Sequence, residues 1–213
     1  MQDRPAQPAP TPPAPGSLSR AQRLLDDPAA PKADNSGRLN LNPEGISFWA
    51  LVSEDRRTQE GGLASQGFWA LFWHRFGNWR MSVRPKLLRA PLTVLYRIGT
   101  KLTEWFCGIM LPYTVIVGRR VRLEHFGGMI LIASAIGDEV TIRQNTTFGI
   151  VRVGGEIEWP VIGDGADIGA GAVIIGDVKV GKGARIGANA VVLKDVPANA
   201  SAVGVPARNI VKA

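Results

Sequence analysis

The sequence predicts a mainly β protein: a solenoid of short strands behind a helical segment and a Pro-rich tail. Three observations support this. Between Val117 and Val192 an apolar residue returns about every sixth position: Val117, Leu123, Ile130, Ile136, Ile142, Phe148, Ile162, Ile168, Ile174, Val180, Ile186 and Val192. Four positions after most of these stands a small or β-branched residue, among them Val121, Gly127, Ser134, Val140, Thr146, Ala166, Ala172, Ala184 and Ala190. In the second half glycine follows the aliphatic residue, as at Ile162-Gly163, Ile168-Gly169, Val180-Gly181 and Ile186-Gly187. A period of about six matches neither the 3.6 of a helix nor the 2 of an alternating strand. It matches stacked coils in which each hexapeptide gives one strand and one turn, with the aliphatic side chain inside a narrow prism.

The register breaks twice. A one-residue slip lies between Leu123 and Ile130, and an insertion of about eight residues lies between Phe148 and Ile162. A solenoid accommodates an insertion as a loop on its outside, and long loops there are often functional.

Ahead of the repeat, residues 1–42 are rich in Pro, Ala and polar groups and read as a disordered tail, with a short helix around Ser19 to Asp26. Residues 43–110 read as helical. An apolar stripe begins at Ile46, Trp49 and Leu51, and Gly61-Gly62 makes a break. Ser65 is placed to cap a second helix through Phe68, Leu71, Phe76 and Trp79. Pro85 and Pro91 interrupt before a third run, Leu92 to Ile109. The aromatics of this block pack the helices together and onto the prism. With Arg75, Arg80, Arg84, Lys86 and Arg89 nearby, a peripheral membrane contact stays open as the other reading. Residues 111–213 form the solenoid.

The chain of 213 residues has a net charge of +7. That balance suits nucleic acid, an anionic membrane or a phosphorylated ligand. No zinc-ligand pairs or aromatic RNA-binding pattern appears, so nucleic acid is not expected. The single cysteine, Cys107, reads as a small apolar core residue. No signal peptide or membrane span is expected, which makes the protein cytoplasmic, with the inner membrane face as a peripheral option.

Only two histidines are available for chemistry. His125 follows Leu123 by two, near a prism edge, where a neutral imidazole can take a proton from an acceptor hydroxyl. Glu124 beside it can hold the acceptor or orient the ring, although neighbouring strand residues point to opposite faces. The alternative is a packed histidine in a subunit contact. His74, among aromatics on a helix, reads as structural. With two histidines and one cysteine far apart, no metal site is expected.

These residues together resemble the hexapeptide-repeat acyltransferases, most of all serine O-acetyltransferases and their relatives in exopolysaccharide gene clusters. The resemblance runs from about Ser47 to Arg208. It rests on Gln66-Gly67-Phe68-Trp69-Ala70-Leu71 with His74-Arg75-Phe76-Gly77-Asn78-Trp79, on Glu124-His125-Phe126-Gly127-Gly128, on Ile168-Gly169-Ala170-Gly171-Ala172 and on Gly204-Val205-Pro206-Ala207-Arg208. It implies a left-handed parallel β-helix, a homotrimer with active sites between prisms, and acetyl-CoA as donor. His125 then matches the base that deprotonates the acceptor hydroxyl, and Glu124 stands before it where the family has an aspartate. Gly169, Ala170, Gly187 and Ala188 match backbone beside the pantetheine arm, and Lys194 and Arg208 match the nucleotide end.

Departures from the pattern bear on the acceptor. Where serine acetyltransferases carry Asp-x-His-Pro, this chain reads Met110-Leu111-Pro112-Tyr113. Where they carry Asp-Arg-His-Pro, with the arginine on the serine carboxylate, it reads Ile157-Glu158-Trp159-Pro160. Glu158 repels a carboxylate, and Trp159 suits a sugar ring or pins the loop. Asp55 is a further candidate to reach the acceptor. A saccharide hydroxyl, free or lipid-linked, is the expected acceptor, with serine acetylation for cysteine synthesis second and a non-catalytic scaffold third. The short tail after Arg208 implies no docking of cysteine synthase.

Overall fold

The computed structural model describes residues 18–27 and 33–210. From Ile109 onward the chain winds through three parallel faces in strict rotation. The first face stacks Ile109–Met110, Met129–Leu131, Thr147–Gly149, Val173–Ile175 and Val191–Val192. The second stacks Ile116–Val117, Ala135–Ile136, Val161–Ile162 and Lys179–Val180. The third stacks Arg122–Glu124, Thr141–Arg143, Asp167–Ile168, Arg185–Ile186 and Ser201–Val203. Arg208–Ile210 turns back antiparallel on Ser201–Val203 and closes that end. This is the parallel β-solenoid that the six-residue period predicts.

Each face carries one inward column of fully buried side chains. Val117, Ile136, Ile162 and Val180 line the second face, and Leu123, Ile142, Ile168 and Ile186 the third. The first face corrects the expected register. Leu131 is 0% exposed and pairs with Phe148, whereas Ile130 is 41% exposed. The break at His125 is therefore two extra residues, since Leu123 to Leu131 spans eight positions, and the next coil recovers one, since Leu131 to Ile136 spans five. A one-residue slip turns every side chain to the other face; here burial of Leu131 selects the register. The inward column also begins at Leu111, earlier than the repeat suggests.

The second insertion is an antiparallel hairpin, Val151–Val153 paired with Glu156–Glu158. Its turn is Gly154-Gly155, both at positive φ, a conformation glycine adopts without a Cβ penalty.

Among the described residues four α-helices precede the prism: α1 (Arg20–Asp26), α2 (Phe48–Thr58), α3 (Gln66–Trp79) and α4 (Lys86–Cys107). Ser47 caps α2 by accepting from the Ala50 N–H, while Ser65 stands at the start of α3 without a side-chain cap bond. The expected break at Pro91 does not occur. Pro91 lies in the second turn of α4, where the helix continues through it. Part of the segment expected to be a disordered tail is instead packed on the prism. Ala21 and Leu41 are 1% exposed, and with Ile116, Ala135 and Val161 they form an apolar cluster over the second face, where Ser19 Oγ bonds the Asp164 carboxylate. The rest of the expected tail, residues 1–17 and 28–32, lies outside the described residues. Cys107 is partly buried against the core and has no disulfide partner.

A solenoid leaves its first coil with an open edge of main-chain carbonyls, and such an edge must be covered. Here α3 and Gln59, the residue that follows α2, cover it with side-chain donors. Asn78 Nδ2 donates to Tyr113 O at 2.9 Å, and His74 Nε2 meets Val115 O at 2.9 Å. Arg75 donates to Val117 O at 2.7 Å and Gly118 O at 2.6 Å, and Gln59 donates to Val121 O at 2.7 Å. Gln59 also accepts from the Leu123 N–H. The His74-Arg75-…-Asn78 motif is thus the lid of the prism.

Candidate functional site

His125 stands where the third face turns into the first. It follows Arg122–Glu124, is exposed and has φ +58°, a conformation uncommon outside glycine and asparagine. The two extra residues of this corner form a wide turn, His125-Phe126-Gly127-Gly128, that leaves His125 exposed. Below it the same corner repeats in register. Asn145 donates its N–H to Gly127 O at 2.9 Å, Gly171 to Gln144 O at 2.9 Å, and Asn189 to Ala170 O at 2.8 Å. His125, Gly169-Ala170 and Gly187-Ala188 therefore line one edge of the molecule.

The glycines of that edge have a packing reason. A Cβ on Gly169 would lie 2.6 Å from the Ala188 nitrogen and 2.7 Å from the Ile186 oxygen, so only glycine lets the coils stack here. Ala170 is half-buried and Ala188 exposed, which leaves a shallow strip of small residues beside backbone amides. Arg208 belongs to this edge as well. It pairs with Val203, and the turn between them bonds to Val191 through Gly204 and Ala207.

Glu124 is not free. Arg143, its register partner one coil on, holds it at 3.2 Å and also bonds the Asp167 carboxylate. An ion-paired ladder of Glu124, Arg143 and Asp167 thus runs down the third face beside His125. Sequence reasoning missed Arg143. Its signal was the pairing register, legible only once Leu123 and Ile142 are aligned.

The remaining candidates lie elsewhere. Glu158 and Trp159 end the hairpin at the corner between the first and second faces, and Lys194 occupies the same corner further along. The whole first face separates them from His125 within one chain. That face turns Met110 and Ile130 outward, 37% and 41% exposed. Lys194 and Arg208, expected together at a nucleotide end, are thereby separated.

Asp55 reaches no site. It is 0% exposed, bonded to the Arg75 Nε at 2.9 Å under the first coil. Burial pushes its carboxyl up, against the pull of the guanidinium. His74 is likewise sealed, at 1% exposure, and burial with the nearby Arg75 charge lowers it to about 3. Its Nδ1 has no hydrogen-bond partner among the described residues. Nor do any three His, Cys, Asp or Glu among the described residues converge as a metal site requires.

A parallel hexapeptide solenoid with small residues stacked along one corner defines a class, and comparison with known proteins gives the same class. The family model "Bacterial transferase hexapeptide (six repeats)" matches residues 160–194. The chain is 39% identical over 137 residues to WcaB of Escherichia coli K12, an acetyltransferase assigned to colanic acid biosynthesis, covering 63% of this chain and 82% of that protein. It is 36% identical over 145 residues to the serine acetyltransferase of Mycobacterium tuberculosis, covering 68% of this chain and 60% of that one. Soybean serine acetyltransferase complexed with serine superposes with TM-score 0.63 at 26% identity, over 89% of this chain and 94% of that one. A serine acetyltransferase in complex with CoA gives 0.55 at 31% identity, over 70% of this chain and 58% of that one. The protein belongs to the hexapeptide-repeat acetyltransferases. It is an acyltransferase of the serine acetyltransferase and WcaB type.

Proposed function

We propose that the protein moves an acetyl group from acetyl-CoA to a saccharide hydroxyl, with His125 as general base. The observation that carries this is the corner stack: the only exposed histidine of the chain heads the edge formed by Gly169-Ala170 and Gly187-Ala188. That strip is suited to an extended pantetheine arm hydrogen-bonding to backbone. Arg208 on the same edge, with Lys194 supplied by a neighbouring copy, is suited to the CoA phosphates.

In this reading the His125 imidazole takes the proton of the acceptor hydroxyl as its oxygen attacks the thioester carbonyl. The tetrahedral oxyanion collapses, the C–S bond breaks, and the imidazolium returns the proton to the CoA sulfur. Glu124, clamped by Arg143, orients the acceptor from the adjoining strand. The hairpin with Glu158 and Trp159 completes the site from a neighbouring copy. The separation of the two corners and the apolar outward residues Met110 and Ile130 support a trimer with its sites between prisms.

Charge at the hairpin favours a saccharide acceptor. Glu158 sits in the segment where a serine-binding arginine is expected, and a carboxylate there disfavours an amino-acid acceptor. Trp159 offers a face to a sugar ring. Serine acetylation is the second reading, favoured by the similarity to serine acetyltransferases.

CoA release from acetyl-CoA, measured with L-serine and with a panel of sugars, tests both. Turnover of a sugar and not of serine is expected. Rapid serine turnover would overturn the saccharide reading. His125→Ala is expected to lower kcat about 10²- to 10⁴-fold with CoA binding retained; full activity in that variant would refute the base assignment.

A further inference from the structure

Helix α4 buries one narrow side and leaves another bare. Tyr96, Gly99 and Thr103 face inward, with Gly99 pressed against the Trp73 ring. At about 100° per residue, Leu87, Val94, Ile98, Leu102, Trp105 and Phe106 fall on a single stripe. These six are 87%, 58%, 54%, 43%, 73% and 77% exposed. The stripe runs the length of a 22-residue helix, and large apolar patches of this kind mark interaction sites.

Charge selects the occupant. Lys86, Arg97 and Lys101 are exposed and project along one flank of the stripe. From residue 61 to residue 103 the chain carries seven cations and no Asp or Glu. The acid on α4 itself, Glu104, is already bonded to Lys101. A second copy would bring no carboxylate from this stretch to meet those cations, whereas an anionic headgroup layer would. No helix among the described residues is long and apolar enough to cross a membrane. An exposed apolar face flanked by Lys and Arg, with Trp and Phe at one end, instead lies in the plane of the interface.

We infer that α4 docks this protein on an anionic lipid surface, its Leu87–Phe106 stripe in the acyl boundary and Lys86 and Arg97 among the headgroups. The inference stands on α4 alone and does not depend on the acceptor proposed above.

Sedimentation of the full chain with extruded vesicles tests it. The vesicles are phosphatidylcholine alone, or phosphatidylcholine with about one-third phosphatidylglycerol. Binding to the anionic vesicles, release by high salt and little binding to the neutral ones are expected. Lys86→Gln/Arg97→Gln removes two surface cations, each contributing about fivefold, and is expected to weaken partitioning about 25-fold. Ile98→Glu is expected to abolish it without lowering the thermal midpoint, because the side chain is half exposed. Equal binding to both vesicle types, or no loss in the Lys86→Gln/Arg97→Gln variant, would overturn the electrostatic docking. Failure to bind, with Ile98→Glu reducing the molecular mass in sedimentation equilibrium, would make the stripe a contact between copies and overturn the proposal.

Discussion

Protonating His74 should unfasten the lid of the prism, and its cost can be worked from the site. The Nε2 of His74 meets Val115 O at 2.9 Å, so the ring carries its proton there and Nδ1 is bare. A second proton would place a cation in a sealed site, beside the Arg75 guanidinium and with no acceptor for Nδ1. Burial and that neighbouring charge lower the group from the ordinary histidine value of about 6.5 to about 3. A depressed histidine stabilises the fold fully above its unfolded pKa, and the contribution is lost as the pH falls toward the folded value. Integrated over the two values, lowering the pH from 7 to 5 removes about 2 kcal/mol, and the full shift corresponds to about 5 kcal/mol well below the folded value. The assay is urea unfolding of wild type and His74→Gln from pH 7 to 5, at fixed protein concentration because assembly adds to apparent stability. The amide of glutamine can still donate to Val115 O but cannot be protonated. The expected difference is a wild-type free energy that falls about 2 kcal/mol further than that of the variant. Parallel profiles would refute the reasoning.

The other expectations concern the same lid and the edge beneath His125. Arg75→Leu strips the partner from the fully buried Asp55 and two donors from Val117 O and Gly118 O, so a loss of about 3–5 kcal/mol is expected. Chemical denaturation checks this, and a cost near that of a surface substitution would contradict it. Gly169→Ala forces a methyl against the Ala188 nitrogen and Ile186 oxygen of the next coil. A loss of about 1–3 kcal/mol is expected, together with a raised KM for acetyl-CoA. An unchanged KM would separate this edge from the donor.

Much of the architecture was legible because a six-residue apolar period leaves one inward column per face and no helical or simple strand alternative. The glycines after Ile168 and Ile186 signalled close stacking, and the excess residues before Ile162 signalled a protrusion. His125 stood out by scarcity, being one of two histidines, and by its place at an irregular corner. Periodicity alone did not distinguish Ile130 from Leu131, since both are aliphatic and adjacent; packing against Phe148 decided between them. Asp55 was misread because a charged residue in a polar helical run resembles a surface group, and its partner Arg75 lies 20 positions away.

The sequence by itself determined the solenoid, the order of segments and the residues with chemistry to offer, because these follow from local period and composition. The tertiary structure decided which of those residues share an edge. It grouped His125 with Ala170, Ala188 and Arg208, sent Glu158, Trp159 and Lys194 to another corner, and buried Asp55 and His74 beneath the first coil. It also paired Glu124 with Arg143 and left one side of α4 bare. Coil stacking brings together residues about 18 or more positions apart, and burial turns a charge into a structural tie. Neither effect is written in any short window of the chain.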